Sequence, residues 1–576
     1  MPLFPSTRSK AARGSHSFIF DPTWTCELQW QGIRNLFQTV ECGSRSLEKL
    51  GLQAVDDLLN DINHISALLQ SLERVVKTRR NAITAVSRLP NETLSMIFST
   101  LDIYDLLSAT AVCGRWRDVA LQDATLWRNH ICSLPGLTKE MIRRSGETPI
   151  GLHWNAYVYP SIRRRISQFP PILAESLDLA LAQSHRVSHI ELVEVGEHIV
   201  DAFSRATTSA PILQSMKLGD IYPYRRPYAL IPPSTFAGQA PNLRHLVLDH
   251  IACPQGLLHN VTRLSASRGA LGRSCAQILD TLSVMPMLEE LEITNKTLER
   301  STEVIERERI VTLPSLRRLA LSGNQFFCLW LPQNLSVPST SSFALECTET
   351  LHRCPRDPLI LPHSNSTSSG TDPIATALAR LHVRLECTSM VVEGWKLSAA
   401  QSSSVDVQPE PDISLSFHIH SVNEYDPMLS LLFKALRLQQ VRTLRLSVGK
   451  SLDVTSLPRS MTDLLAKMPS LESCVAEGVF IGPFAKALND CVGDGVGVFL
   501  TGLDELELIG HDFARDTEAR VAENLLAYAA ARDRMGGRMR VIRLRDCEDT
   551  DAMWLEELGR VVGEVNCCRT PSTSYC

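Results

Sequence analysis

The chain has 576 residues, with 58 basic against 63 acidic side chains and a formal net charge of −5 at pH 7. That length exceeds what one core organises, implying several domains or an elongated repeat array, and the even charge balance excludes nucleic acid as the default partner. Its 16 Cys include no C-x-x-C pair, and neither Cys347 with Cys354 nor the doublet Cys567, Cys568 has zinc-ligand spacing, so most are expected to be small core residues in a reducing compartment.

Residues 1–45 mix Pro, Ser, Gly, Arg and a few aromatics without sustained period, which reads as a loosely ordered arm. No signal-type apolar run occurs there, and no later segment reaches ~18 uninterrupted apolar residues. The expectation is a soluble protein of the cytoplasm or nucleus without a membrane partner. Short basic clusters such as KTRR at 77–80 and RRR at 163–165 read as solvated helix ends rather than phosphate sites.

Between 46 and 84, Val55, Leu58, Ile62, Ile65, Leu69, Leu72 and Val76 recur at steps of three and four, a heptad seam on one helix. Acidic residues gather early and basic ones late, as the helix dipole favours. The stripe either packs on the protein's own next domain or pairs with a second copy. The first reading is preferred, because three heptads are marginal for self-pairing.

The next segment, residues 87–127, is unusually apolar. Asn91 can cap a helix in which Leu94, Ile97, Phe98 and Leu101 share a face. Asp102 and Asp105 mark a restart leading into Leu106 and Leu107, and Val112, Trp116, Val119 and Ala120 give a third helix before Leu126 and Trp127 close the unit. Three helices in about 40 residues cannot bury what they carry, so the surplus face must meet a flanking domain or another protein.

Leu89-Pro90-x-Glu92-x-Leu94, Ile97-Phe98-x-x-Leu101, Asp105-Leu106-Leu107, Val112-Cys113-x-x-Trp116-Arg117 and Leu126-Trp127 together resemble an F-box, over roughly 85 to 130. Gly114 departs from the pattern where a basic residue is frequent, and its low helix propensity places a turn there. The resemblance implies a three-helix module, here assigned to 85–135, that docks on the Skp-type adaptor of a cullin-RING ubiquitin ligase. Its implied adaptor-binding residues are Leu89, Pro90, Leu94, Ile97, Phe98, Leu101, Leu106, Leu107, Val112 and Trp116, some of which must instead form the module's own core. The heptad helix, together with MIRRSGETPIGLHW at 141–154, is also similar to a large fungal-type group of F-box proteins, which continue into irregular leucine-rich repeats.

After a connecting region at 136–185, the template L-x-x-L-x-L recurs from residues 213, 243, 288, 316, 441 and 503, with looser copies from 187, 378 and 539. Four copies follow a Pro, at 211, 241, 286 and 314. Alternation at the end of each template makes a short strand whose apolar side faces a shared core, entered from a turn at the first Leu. Helical stretches at 275–285, 460–468 and 519–533 return the chain on the opposite side, which predicts an α/β fold, an irregular solenoid over 186–566. Segments 333–374 and 398–412, rich in Ser, Thr, Pro and Gly, read as exposed loop insertions, and 567–576 as a tail.

Hydrolase, zinc-protease and phosphate-loop motifs are absent. GDGVGVF at 493–499 lacks the last Gly of a dinucleotide fingerprint and reads as a turn. His418 and His420 share a strand face, but no third metal ligand is evident. No catalytic residue, cofactor or metal is therefore assigned, and the chain is expected not to be an enzyme. The leading expectation is a substrate receptor whose F-box holds the adaptor while the repeat surface captures a protein target. A non-degradative F-box scaffold is the alternative, and an enzyme hidden in the C-terminal region would rest only on the His pair and the Gly turn. Exposed strand and loop positions such as Arg244, His245, Glu289, Glu290, Arg317 and Arg318 are candidates for reading the target.

Overall fold

A computed structural model of the chain describes residues 51–155, 169–193, 197–219, 229–296, 309–348, 363–364, 378–386, 388–396, 410–419, 425–448, 460–493, 500–514 and 520–568. The arm at 1–45, the basic cluster at 163–165, His420, Cys354 and nearly all of 398–412 lie outside these residues. Two compact units divide the chain, one of residues 1–97 and 107–119, the other of 98–106 and 120–576.

In the first unit, α1 (Leu52–Ala82) is an unbroken helix of 31 residues. It contains neither Gly nor Pro, Arg79 and Arg80 lie in its last turn where the dipole favours cations, and Glu73 pairs with Lys77 at 2.6 Å one turn on. Not one of its residues is buried. Leu72 is 47% and Val76 58% exposed, so the preferred expectation, that the stripe packs on the protein's own next domain, is not met along this helix.

Three short helices follow: α2 (Asn91–Phe98), α3 (Ile103–Val112) and α4 (Gly114–Gln122). The break between α3 and α4 falls at Cys113, beside the glycine expected to mark it. The Cys113 carbonyl accepts the first bond of α4, from Arg117 N at 3.1 Å. At the start of α3, where a restart was expected, Asp102 Oδ1 accepts from Asp105 N at 2.9 Å and caps the helix.

The second unit is organised on one large sheet, in which sixteen strands are described. In chain order they are β1 (Ile150–Asn155), β2 (Val187–Val193), β3 (Ser215–Gly219), β4 (His245–Asp249), β5 (Arg263–Ser267), β6 (Glu290–Asn295), β7 (Arg318–Gly323) and β8 (Ser342–Cys347). Then come β9 (Leu378–Leu385), β10 (Ser389–Lys396), β11 (Ile413–His418), β12 (Thr443–Val448), β13 (Ser473–Glu477), β14 (Glu505–Ile509), β15 (Val541–Arg545) and β16 (Glu564–Cys568). Strands β1 to β8 pair in sequence order and in parallel, as do β12 to β16.

Between these runs the order reverses. Strand β8 pairs with β11, β11 with β10, β10 with β9, and β9 with β12, and β10 is antiparallel to both its neighbours. A short connection from β9 to β10 and the alternation of both strands suit a hairpin, and inserting it allows β9 and β11 to keep the direction of the rest.

The templates explain the parallel register. Leu243, Leu246 and Leu248, Leu288, Leu291 and Ile293, and Leu316, Leu319 and Leu321 are all buried. Each second template position sits opposite the next, Leu291 against Leu319 and Leu444 against Cys474. The first residue donates its backbone N–H to the carbonyl three residues back, as in Leu243 to Ala240 and Leu316 to Leu313, both turn contacts of the kind expected. Strands β5 and β13 are among those not foreseen. Val261, Leu264 and Ala266 lead into β5, and Leu471, Cys474 and Ala476 into β13, filling the long gaps after 243 and after 441. Ala and Cys are small enough to be buried there, yet they disguise the template.

Several expected boundaries move. The sheet begins at β1, inside the supposed connection at 136–185, because β1 pairs in parallel with β2. Segment 333–374, expected as a loop, contains β8, whose Phe343 and Leu345 are buried. Cys567 and Cys568, expected in the tail, end β16. The helices Ser460–Ala466, Ile481–Gly493, Val521–Arg534 and Ala552–Val561 pack each on the next, the first and third close to their expected spans.

Gly323 and Asn324 show how closely one strand meets its neighbour. A Cβ on Gly323 would collide with the Asn295 carbonyl oxygen. The Asn324 N–H donates to that same carbonyl at 3.2 Å, while Asn324 Oδ1 accepts from Phe327 N at 2.9 Å and caps the helix Gln325–Gln333.

Candidate functional site

The segment holding the ten sequence-predicted residues is organised by a side chain that periodicity did not single out. Arg115, on α4, donates through its guanidinium to the carbonyls of Ser87 and Leu89 and to Asn91 Oδ1, the last from Nε at 3.1 Å and Nη2 at 2.8 Å. Five donors in a fixed fork suit three acceptors on one bend of chain. The cap expected of Asn91 is accordingly not what its side chain does. Pro90 supplies the first helical carbonyl, accepting from Leu94 N at 3.1 Å, and the Asn91 side chain goes to Arg115. The only sequence signal for Arg115 was its place between Gly114 and Trp116, which apolar periodicity does not weigh.

Burial divides the predicted set. Leu94, Phe98 and Leu106 are at most 1% exposed, so they are core residues of the chain. Leu89, Leu101, Leu107 and Trp116 are half-buried, and Pro90, Ile97 and Val112 are exposed. Met96 and Tyr104, which the motif did not select, are exposed as well, Met96 at 71%. Farther along, Trp127 is buried, donates from Nε1 to the Ala120 carbonyl at 2.7 Å and carries the Arg144 guanidinium 4.3 Å above its ring.

On the sheet, the residues alternating with the buried template form a solvent-facing row. His245, Arg263, Glu290 and Arg318 lie side by side across β4 to β7, with Arg263 Nε 3.1 Å from Glu290. Beside them a groove of about 310 Å³ is floored by small residues such as Ser265 and Ala320. Of the predicted target-reading positions, His245, Glu290 and Arg318 thus share one face. Arg244 does not join them, since its Nη1 donates to the carbonyls of Pro241 at 2.9 Å and Asn260 at 3.1 Å.

One constellation with catalytic residue types emerges that the sequence did not show. His382 Nδ1 lies 3.4 Å from Glu393 and Nε2 lies 2.7 Å from Ser447 Oγ, on adjacent strands β10, β9 and β12. Burial, then the charges of Arg445 and Arg384, push the imidazole down to about 4, so at neutral pH the ring is uncharged and has one donor and one acceptor nitrogen. The serine is 7% exposed, and it stands opposite Arg384 within a parallel strand pair. The array thus links three adjacent strands through a partly buried polar contact. Among the described residues no group of three or more His, Cys, Asp or Glu could hold a metal ion; His418 ends β11, and His420 lies outside the described residues.

Residues 86–133 match the family model described as F-box-like. The chain thus carries an F-box-like domain, whose match begins just after α1 and ends before β1, and a large α/β region follows it. F-box domains typically bind Skp-type adaptors. None of the curated proteins matches the chain. Among the described residues, no helix is long and apolar enough to cross a membrane.

Proposed function

We propose that this chain is the substrate-recognition subunit of a Skp/cullin/F-box ubiquitin ligase. Its F-box-like segment docks a Skp-type adaptor and, through it, a cullin, while the solvent-facing side of a leucine-rich-repeat sheet binds a protein target. Ubiquitin transfer is left to other subunits, so the chain's own chemistry is binding, in the cytoplasm or nucleus. The observation that carries this reading is the split within the matched segment. Leu94, Phe98 and Leu106 are spent on the core, whereas Pro90, Met96, Ile97, Tyr104 and Val112 remain at the surface, and exposed apolar side chains in so short a stretch suit a partner. The adaptor-facing residues are then Pro90, Ile97 and Val112, joined by Met96 and Tyr104, with Leu89, Leu101, Leu107 and Trp116 at the margin.

The test is co-purification of the full chain with a Skp-type adaptor. Pro90→Ala combined with Ile97→Asp removes adaptor binding by at least about tenfold, as expected for interface anchors, while circular dichroism and the melting of the sheet stay unchanged because neither residue is buried. Undiminished co-purification would sink the assignment. Recovery of the adaptor without cullin or ubiquitinated clients supports instead a non-degradative scaffold.

A further inference from the structure

We propose that α1 pairs, antiparallel, with α1 of a second copy of this chain. The seam from Val55 to Val76 is apolar at every heptad position, and no residue of the helix is buried. Its a-type positions are Val55, Ile62, Leu69 and Val76, mostly β-branched, and two of its three d-type positions are Leu, a choice that favours two strands over more. Leu59, Leu68 and Val75 flank the seam and are also exposed, which widens the apolar face a second helix would cover.

Charge decides the occupant and its direction. Glu73 and Lys77 neutralise each other at 2.6 Å, leaving Asp56, Asp57 and Asp61 toward the N-terminal end and Arg74, Arg79 and Arg80 toward the other. A parallel pair would bring the acidic ends together and the basic ends together, with Asp61 and Arg80 at the positions that flank the seam and the other charges acting from farther out. An antiparallel pair sets each acidic end beside a basic one, and it opposes the two helix dipoles as well. A second copy is therefore complementary to α1 in both apolar pattern and charge. The helix is about 46 Å long at 1.5 Å per residue, so the two F-box-like segments, which leave from its C-terminal end, depart from opposite ends of the pair. Because the attraction is between exposed charges, pairing weakens as salt is raised.

The experiment is sedimentation velocity on the full chain over a micromolar concentration range. The expected result is a monomer–dimer equilibrium that Ile65→Asp with Leu69→Asp abolishes. Asp56→Lys, Asp57→Lys and Asp61→Lys together keep the seam and weaken the dimer by about tenfold or more, equivalent to about 1.4 kcal/mol. Adding Arg74→Glu, Arg79→Glu and Arg80→Glu to that variant restores it. Circular dichroism checks that the helix persists, and where the seam variant loses helix the charge variants still decide. A monomer at every concentration overturns the proposal, as does a dimer indifferent to the seam variant in a folded helix. A dimer unchanged by the aspartate-to-lysine variant overturns the antiparallel arrangement, since a parallel pair merely exchanges one repulsion for another. None of these outcomes depends on adaptor binding.

Discussion

Helix α1 and strands β4 to β7 draw on the same residues, Leu, Ile and Val at regular spacing, and those residues meet opposite environments. In the strands, Leu246, Leu291 and Leu319 are buried to about 1% exposure or less, because each parallel neighbour brings an equivalent side chain to the same height in the sheet. In α1 the side chains line up along one helix, and none of them is buried. Periodicity therefore specifies which residues share a face, while the presence of a second face of the same period decides whether they are buried. The strands make their own partner by repetition, whereas a single helix does not supply a second face of its own period.

This contrast can be broken most severely by removing a strand leucine. Leu319→Ala is expected to cost about 2–5 kcal/mol, the range for truncating a fully buried Leu, read as the shift in a urea unfolding curve. Leu72→Ala on α1 should change the monomer by no more than about 0.5 kcal/mol, and a large loss there would mean that the helix is covered after all. Glycines sharpen the same point on a smaller scale. Gly323→Ala forces a methyl group against the Asn295 carbonyl and should cost about 1–3 kcal/mol, whereas Gly114→Ala, whose added Cβ meets nothing within 4 Å, should be neutral or stabilising by up to about 1 kcal/mol.

The smallest effect concerns pH and belongs to the sheet alone. His382 titrates near 6.5 in the unfolded chain and about 4 in the fold. Between those values the unfolded state binds the extra proton, so stability is complete above about 6.5, falls as the pH is lowered toward 4, and levels off below. Urea midpoints from pH 7 to pH 4 should fall less for His382→Gln than for the unchanged chain. His130 also titrates low because of burial, so the difference between the two proteins is the informative quantity. Equal slopes would mean that the imidazole is not held neutral by its neighbours.

The F-box-like segment was legible because its helices are short, punctuated by Asp102 and Gly114, and built from apolar steps of three and four. The rows of Leu that enter the strands were legible for the same reason in period two. What escaped were features made by partners distant in the chain. Arg115 reaches the Ser87 and Leu89 carbonyls 28 and 26 residues earlier, and a lone Arg gives no periodic signal of such a role. Strand β10 was not recognised because its place between β9 and β11 is set by antiparallel pairing that no L-x-x-L-x-L template encodes.

By itself, then, the sequence determined the local periods, the breaks between helices, the F-box resemblance and most strand entries, all of which depend on residues within a turn or two. Tertiary structure alone decided that Leu94, Phe98 and Leu106 are core while Pro90, Ile97 and Val112 are surface, that the sheet starts at Ile150, and that its order reverses from β9 to β11. Burial is a property of what packs above a side chain, and for each of these positions that is fixed by segments far away in the chain, or left open for a partner.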